Sequence, residues 1–300
     1  MQTAIGISFI NVFIFPSVKN LKYVAGLVFV SMIWGGTFPL VKLSLQYISP
    51  MGFLTLRFLL ATAILLAIYF KKIMSHRDAL RASLILGIFL FLGYMFQTIG
   101  LKYTSSSNAG FITGLYVVFT PIFSYLIIKE RITKRIIGAL LISLAGLYLL
   151  SGVRGFNFGD ILELFCAIAY GIHVTLIGKF SREKDAATLT MMQLFFVFLF
   201  SSIWWGAEGP SISLSPLLAF GIVFTGLFAS ALGILMQVHA QKHISPSKAA
   251  VIFTTEPAFA GIFSFVFLGE ALTPMGIMGA VLILFAMLLA AVEKEHPGLE

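Results

Sequence analysis

One stretch of this chain occurs twice, 140 positions apart. Ser105 to Thr133 (SSSNAGFITGLYVVFTPIFSYLIIKERIT) aligns without gaps with Ser245 to Thr273 (SPSKAAVIFTTEPAFAGIFSFVFLGEALT), and ten of the twenty-nine positions are identical. Apolar identities such as Phe119/Phe259 arise easily between membrane-type sequences. The polar ends say more. Both copies open on Ser-x-Ser and close on Glu-x-x-Thr, at Glu130 with Thr133 and at Glu270 with Thr273. Internal repetition decides which folds are open to a chain. Here it implies two related halves.

Neither half is built for water. Hydrophobic residues make up 59% of the chain and charged residues 11%, against about 25% charged in a soluble domain. Ten apolar segments lie at approximately 21–43, 50–70, 80–101, 107–128, 134–151, 158–179, 188–207, 215–237, 245–268 and 273–292. Each is long enough to cross a hydrocarbon core of about 30 Å as a helix. The expected fold is an all-α integral membrane protein: ten transmembrane helices, as two inverted five-helix repeats (21–151 and 158–292) around a central cavity. Residues 1–20 hold an apolar run too short to span, with no basic flank or small-residue cleavage site. They read as an interfacial or loosely ordered tail, and 293–300 as a cytoplasmic one. The lone Cys166 gives no intrachain disulfide and no thiolate metal cluster.

The inversion follows from charge. With a cytoplasmic N-terminus, sixteen Lys and Arg fall in cytoplasmic loops and tails and three outside, so both termini are read as cytoplasmic. Loop 4–5 is KERITKR, whereas its counterpart LGEALTP has no basic residue. Loop 2–3 is KKIMSHRDALR, whereas loop 7–8 has none. Five crossings per half, an odd number, turn the second half over. Inverted repeats are the architecture of many secondary transporters, because one fold then supplies two similar packings open to opposite sides.

Residues 21–292 resemble the drug/metabolite transporter superfamily, in particular its EamA-type ten-helix exporters. The resemblance is carried by IWGGTFPLVK (Ile33 to Lys42), by Pro50 and Arg57 in PMGFLTLRF, by Glu130 and Glu270, by TPIF and EPAF (Thr120 to Phe123, Glu256 to Phe259), and by Gly138, Gly146 and Gly279. The second copy departs from the first at its opening, where YGIHVTLIGK (Tyr170 to Lys179) answers WGGTFPLVK and Gln193 stands 136 positions after Arg57. The resemblance implies a helical bundle around a central cavity, exporting amino acids or other small metabolites from the cell membrane.

Ionisable groups within a bilayer are costly, so each is a functional candidate. Glu256 lies eleven residues after Ser245, near the midplane at 1.5 Å per residue. Pro257 beside it removes a backbone donor and disturbs the helix. The repeat mate of Glu256 is Tyr116. Arg57 could snorkel to the outer headgroups, reach toward Glu256, or hold a substrate carboxylate with its fork of donors. His173 and His239 are candidate proton relays. Gln97, Gln193 and Gln237 are candidate cavity liners, as are Trp34, Tyr94 and Tyr116. Glu130 and Glu270 read as gating or hairpin-fixing groups, and Gly35, Gly36, Gly138 and Gly279 as close-approach points between helices. For every one of these, packing is the competing role.

No catalytic constellation, metal set or phosphate loop emerges, and no cofactor is expected. The expected partners are a small-molecule substrate and the lipid bilayer. The net charge of +8 reflects cytoplasmic loops rather than nucleic-acid binding, and oligomeric state is not legible. The competing functions are a membrane-embedded enzyme built on Glu256 and a histidine, or a passive channel.

Overall fold

A chain that crosses a bilayer must pair its backbone polar groups internally, which leaves helices as the outcome for apolar runs of this length. The computed structural model describes residues 21–75, 77–129, 134–151 and 157–291. The tails at 1–20 and 293–300, and Glu130 with the rest of the first Glu-x-x-Thr ending, lie outside the described residues. What is described is helical throughout, apart from one isolated antiparallel bridge between Ile48 and Ile212.

Seven helices are long and apolar enough to cross a membrane: α1 (Leu21–Ser44), α2 (Pro50–Lys72), α3 (Leu80–Gly100), α4 (Ser106–Ile128), α6 (Phe158–Phe180), α7 (Ala186–Glu208) and α8 (Pro216–Ala240). Between and after them come α5 (Lys134–Ser151), α9 in two pieces (Pro246–Ile252 and Thr255–Leu268) and α10 (Pro274–Ala291). These are the ten segments of the sequence. Large apolar side chains such as Ile68, Phe70, Leu141, Ile203, Phe265 and Val281 stand on the outside, as a lipid-facing belt requires.

Packing runs mainly between the halves, and the largest contacts of one half have counterparts in the other. Helix α1 lies on α9 as α6 lies on α4; α3 packs on α6 as α8 packs on α1; α3 meets α7 as α8 meets α2. The pairs α2·α7, α4·α9 and α5·α10 are their own counterparts and lie about a pseudo-two-fold axis. Glycines mark the symmetric close approaches. A Cβ at Gly35 would stand 2.6 Å from Phe259 Cβ, and one at its repeat mate Gly171 would stand 2.9 Å from Phe119 Cβ. On the α5·α10 contact a Cβ at Gly146 would stand 2.8 Å from Gly279 O. Gly36 and Gly138 meet only ordinary contacts, at 3.4 and 3.9 Å, so the sequence reading overstated those two.

Three helices break or change form along their length, and α2 carries a further kink at Tyr69 near its end (φ −114°, ψ 16°). Helix α4 breaks between Thr113 and Tyr116, and α9 between Ile252 and Thr255. At the α9 break, Glu256 N donates to Phe253 O at 3.0 Å, a tight i→i−3 turn, and Pro257 has no donor with which to extend the ladder. Helix α8 contains a π-helical stretch, Thr225–Leu232. It starts 136 positions after α3 but ends 140 positions after it. The four extra residues therefore lie inside α8, the helix that also holds the π turn.

The two ends of the bundle differ. At one, Lys42 pairs with Glu270 at 2.9 Å and donates to Thr104 O, while Ser107 N donates to the second oxygen of Glu270 at 3.2 Å. The α1–α2 and α7–α8 connections also meet there, through the Ile48·Ile212 bridge and Ser49 Oγ donating to Glu208. At the other end, which carries most of the described Lys and Arg, Lys72 pairs with Asp185 at 2.7 Å and Lys184 with Asp78 at 2.5 Å.

Candidate functional site

Between these two ends, seven helices surround a buried cavity lined by both apolar and polar side chains. Its volume, ≈ 40 Å³ of space open to the centre of a water molecule, exceeds the roughly 10–15 Å³ that one water needs. The walls are built from repeat mates. Trp34 of α1 answers Tyr170 of α6, and Thr37 answers His173; Tyr94 of α3 answers Ile234 of α8, and Gln97 answers Gln237; Tyr116 of α4 answers Glu256 of α9. The first two pairs are separated by 136 positions and the other three by 140, as the insertion inside α8 requires. The cavity is thus the pseudo-symmetric centre of the protein, lined by pairs of which Gln97 and Gln237 match while Tyr116 and Glu256, or Thr37 and His173, differ in chemistry.

The breaks set Tyr116 and Glu256 face to face. Each opens the longer piece of its helix, Tyr116 in Tyr116–Ile128 and Glu256 in Thr255–Leu268. Tyr116 Oη donates to Glu256 Oε2 at 2.9 Å. Both side chains are buried, so little water competes with that bond.

Arg57 enters from α2 and is 2% exposed, which excludes the snorkelling role. Its Nε donates to Ser230 Oγ at 2.7 Å and an Nη to Tyr94 Oη at 3.1 Å, while the guanidinium plane lies 4.5 Å from the Tyr94 ring centre. A desolvated cation over an aromatic face gains about 2 kcal/mol. No ion pair joins Arg57 to Glu256 among the described residues, so its reach toward Glu256 is not realised. Neutral groups hold the cation, and donors remain over. Ser230 belongs to the π stretch of α8, and so does Ala229, whose carbonyl accepts from Trp34 Nε1 at 2.8 Å. The π turn therefore supplies acceptors to both Arg57 and Trp34.

Most of the residues expected from sequence converge here: Glu256, Arg57, Tyr116, Trp34, His173, Gln97 and Gln237 line the cavity. Two do not. Gln193, on α7, lies behind the wall, where its Oε1 meets His173 Nε2 at 2.8 Å; α7 packs on α2 and α3, so its inward side chain reaches only as far as His173. His239 is exposed at the Lys72 end beside Tyr23 and His243. Two residues beyond Gln237 on a helix is about 200° around the axis, so the two cannot face the same space. Pro257 stays behind Glu256 at the α9 break, and Glu270 sits in the Lys42 cluster at the end of the bundle. Sequence reasoning missed Thr37 and Tyr170 as liners, although the 136-position register from Trp34 and His173 identifies both. Among the described residues no group of three or more His, Cys, Asp and Glu could hold a metal ion.

Inverted halves, broken helices at their interface and a buried cavity lined by Arg57 and Glu256 together define a multi-pass membrane protein of the carrier class. The chain belongs to the EamA-like transporter family, whose profile matches residues 21–152 and 157–292. Among its relatives, an uncharacterized transporter of Archaeoglobus fulgidus is 39% identical over 274 residues, covering 91% of this chain and 87% of that one. The uncharacterized transporter YyaM of Bacillus subtilis is 30% identical over 296 residues, covering 91% and 94%. A solved crystal structure shares the fold at a TM-score of 0.68 and 17% identity, over 88% of this chain and 94% of that one.

Proposed function

We propose that this transporter exports small zwitterionic metabolites such as amino acids across the cell membrane by alternating access. In this reading 21–151 and 158–292 are the units that move, both termini are cytoplasmic, and the Lys42 end faces outward. One observation carries the substrate class: a buried guanidinium and a buried carboxyl, Arg57 and Glu256, line the same cavity without pairing with each other. An isolated buried charge costs several kcal/mol. Leaving both unmatched suits a site whose ligand brings the complements, a carboxylate for the spare donors of Arg57 and an ammonium for Glu256. Tyr94, Tyr170 and Trp34 would enclose the body of the solute. Coupling to protons follows from the same group, since a protonated Glu256 no longer attracts an ammonium.

The test is efflux from proteoliposomes loaded with radiolabelled amino acids, with and without an imposed proton gradient. Zwitterions are expected to leave faster than analogues lacking either the carboxylate or the amine, and the proton gradient to change their rate. Efflux of amines alone, with zwitterions retained, would remove Arg57 from the reading. A rate indifferent to the gradient would remove the coupling.

A further inference from the structure

A second carboxyl lies deep in the protein, away from the cavity. Glu163 of α6 has 0% exposure. One of its oxygens accepts from Thr113 Oγ1 at 2.7 Å, and the other, Oε1, is buried with no hydrogen-bond partner. The pocket around that orphan oxygen is shaped by a glycine: a Cβ on Gly100 would stand 2.8 Å from Oε1. The titratable groups facing Glu163 are few. Asp160 lies one turn away on the same helix, and the Cys166 thiol shares the Thr113 hydroxyl at 3.9 Å; α3 presents Gly100, and α4 presents Thr113. No cation lies among them. At the same end of the bundle, Lys42 is committed to Glu270 and to Thr104 O. An ionised carboxylate so placed, with one oxygen unmatched, costs several kcal/mol, and a proton on Oε1 removes the charge.

The surroundings give that proton a direction. Glu163 and Asp160 share one face of α6 at i, i+3 spacing, and Asp160, 1% exposed, accepts from Thr104 Oγ1 at 2.5 Å at the Lys42 end. On α4, Thr113 lies three residues from Tyr116, the donor to Glu256. Polar groups therefore step from the cavity along α4, across to α6 and out toward Lys42.

We propose that Glu163 is a second proton-binding site, placed between the cavity carboxyl Glu256 and the outer end, and that it exchanges its proton with outside water on the Asp160 side. The exchange moves one proton between water and Glu163 Oε1, with no other bond made or broken. The idea deepens the proton-coupled reading of the transporter and rests on it for its role in transport, but not for the existence of the site.

Infrared difference spectra of the reconstituted protein, recorded through a pH titration without substrate, test the site directly. The wild type is expected to show two buried protonated-carboxyl bands. Glu163→Gln, which keeps an acceptor for Thr113, should delete one and leave the Glu256 band; Glu256→Gln should delete the other. Thr113→Val keeps the carboxyl and removes its donor, so the Glu163 band should survive and shift, which guards against misfolding of the Gln variant. Glu163→Gln and Thr113→Val spectra identical to wild type would overturn the proposal. So would a Glu163 band that responds to sodium at fixed pH, because the site would then hold an alkali cation. Proton-coupled efflux lost in Glu256→Gln while Glu163→Gln leaves the spectrum unchanged would sink this inference and spare the coupled transporter. Two titrating bands with efflux indifferent to pH would do the reverse.

Discussion

Tyr116 and Glu256 are the same position in two copies of one repeat, and the tyrosine hydroxyl donates to the glutamate at 2.9 Å in the centre of the protein. A symmetric ancestor would place like groups in contact there. This chain places a donor against an acceptor, each at the start of the longer piece of a broken helix. Tyr116→Phe deletes the bond and leaves the ring. A hydrogen bond to a charged group contributes about 1.5–3 kcal/mol, so substrate affinity in counterflow should fall roughly ten- to hundredfold while the amount of folded protein stays unchanged. A change below about twofold would show that the pair fixes packing only.

Arg57 separates charge from shape. Lysine keeps the charge but has neither the planar fork that meets Ser230 and Tyr94 together nor the flat face that lies on the Tyr94 ring. Arg57→Lys is expected to cut transport of carboxylate-bearing solutes by about tenfold or more while amines lacking the carboxylate are affected less. Equal losses for both classes would place Arg57 in the scaffold rather than against the substrate.

Which parts of this arrangement could be read beforehand follows from the kind of signal each one leaves. The crossings announce themselves as apolar length, the inversion as loop charge, and the Tyr116/Glu256 meeting as a 140-position register. The inward faces leave no such mark: α1 and α7 are apolar on all sides, so no amphipathic stripe points to the cavity. That is why Gln193 was expected in the wall; Tyr170, on α6, follows only from the 136-position register with Trp34. Glu163 lay in view, a carboxylate inside the apolar run FGDILELF, but only the packing of Gly100 and Thr113 shows it buried. The insertion inside α8 could have been inferred from the register shifting from 136 to 140 between its two ends.

Packing predictions rest on the glycines. Gly35→Ala drives a Cβ to 2.6 Å from Phe259 Cβ and 2.8 Å from Ala260 N, backbone that cannot swing aside. Overpacking of this kind costs about 1–3 kcal/mol, and the thermal midpoint in detergent should drop by several degrees. Gly206→Ala on α7 meets nothing within 4 Å. It gains up to about 1 kcal/mol of helix propensity and should leave the midpoint level or raise it. Equal effects from the two would contradict the close α1·α9 approach.

The Lys72 end carries a pH-dependent latch. Partial burial pushes the Asp185 carboxyl up, but the Lys72 ammonium and the Thr188 N–H and hydroxyl outweigh this and hold it below the ordinary aspartate value. Its folded value being depressed, its stabilisation is complete above the unfolded value of about 3.9 and is lost as pH falls through the folded value. Asparagine can still cap α7, so Asp185→Asn removes mainly the ion pair. The variant should melt lower than wild type at neutral pH, with the gap closing below about pH 4. A gap that persists in acid would assign the loss to something other than the charge.

At the opposite end, Lys42 ties α1 to α9 through Glu270 and to the start of α4 through Thr104 O, while Ser107 N holds the second oxygen of Glu270. Both members of the pair are partly exposed, so the bond itself is worth little in water. Its consequence lies in position, since it ties α1, α4 and α9 together at the end of the bundle beyond Thr37 on α1. Thr37 is 7% exposed and lines that cavity, and the native thiol, Cys166, is fully buried, so a cysteine at 37 in a Cys166→Ser background reports access alone. Adding Lys42→Met should raise its labelling by a membrane-impermeant thiol reagent, applied outside intact cells, severalfold. Glu270→Gln should do the same, because either change breaks the same clasp. Labelling that rises only in inside-out vesicles would reverse the assigned orientation. Labelling unchanged from both sides would mean that the ion pair decorates the closure and that the helix ends beneath it form the barrier.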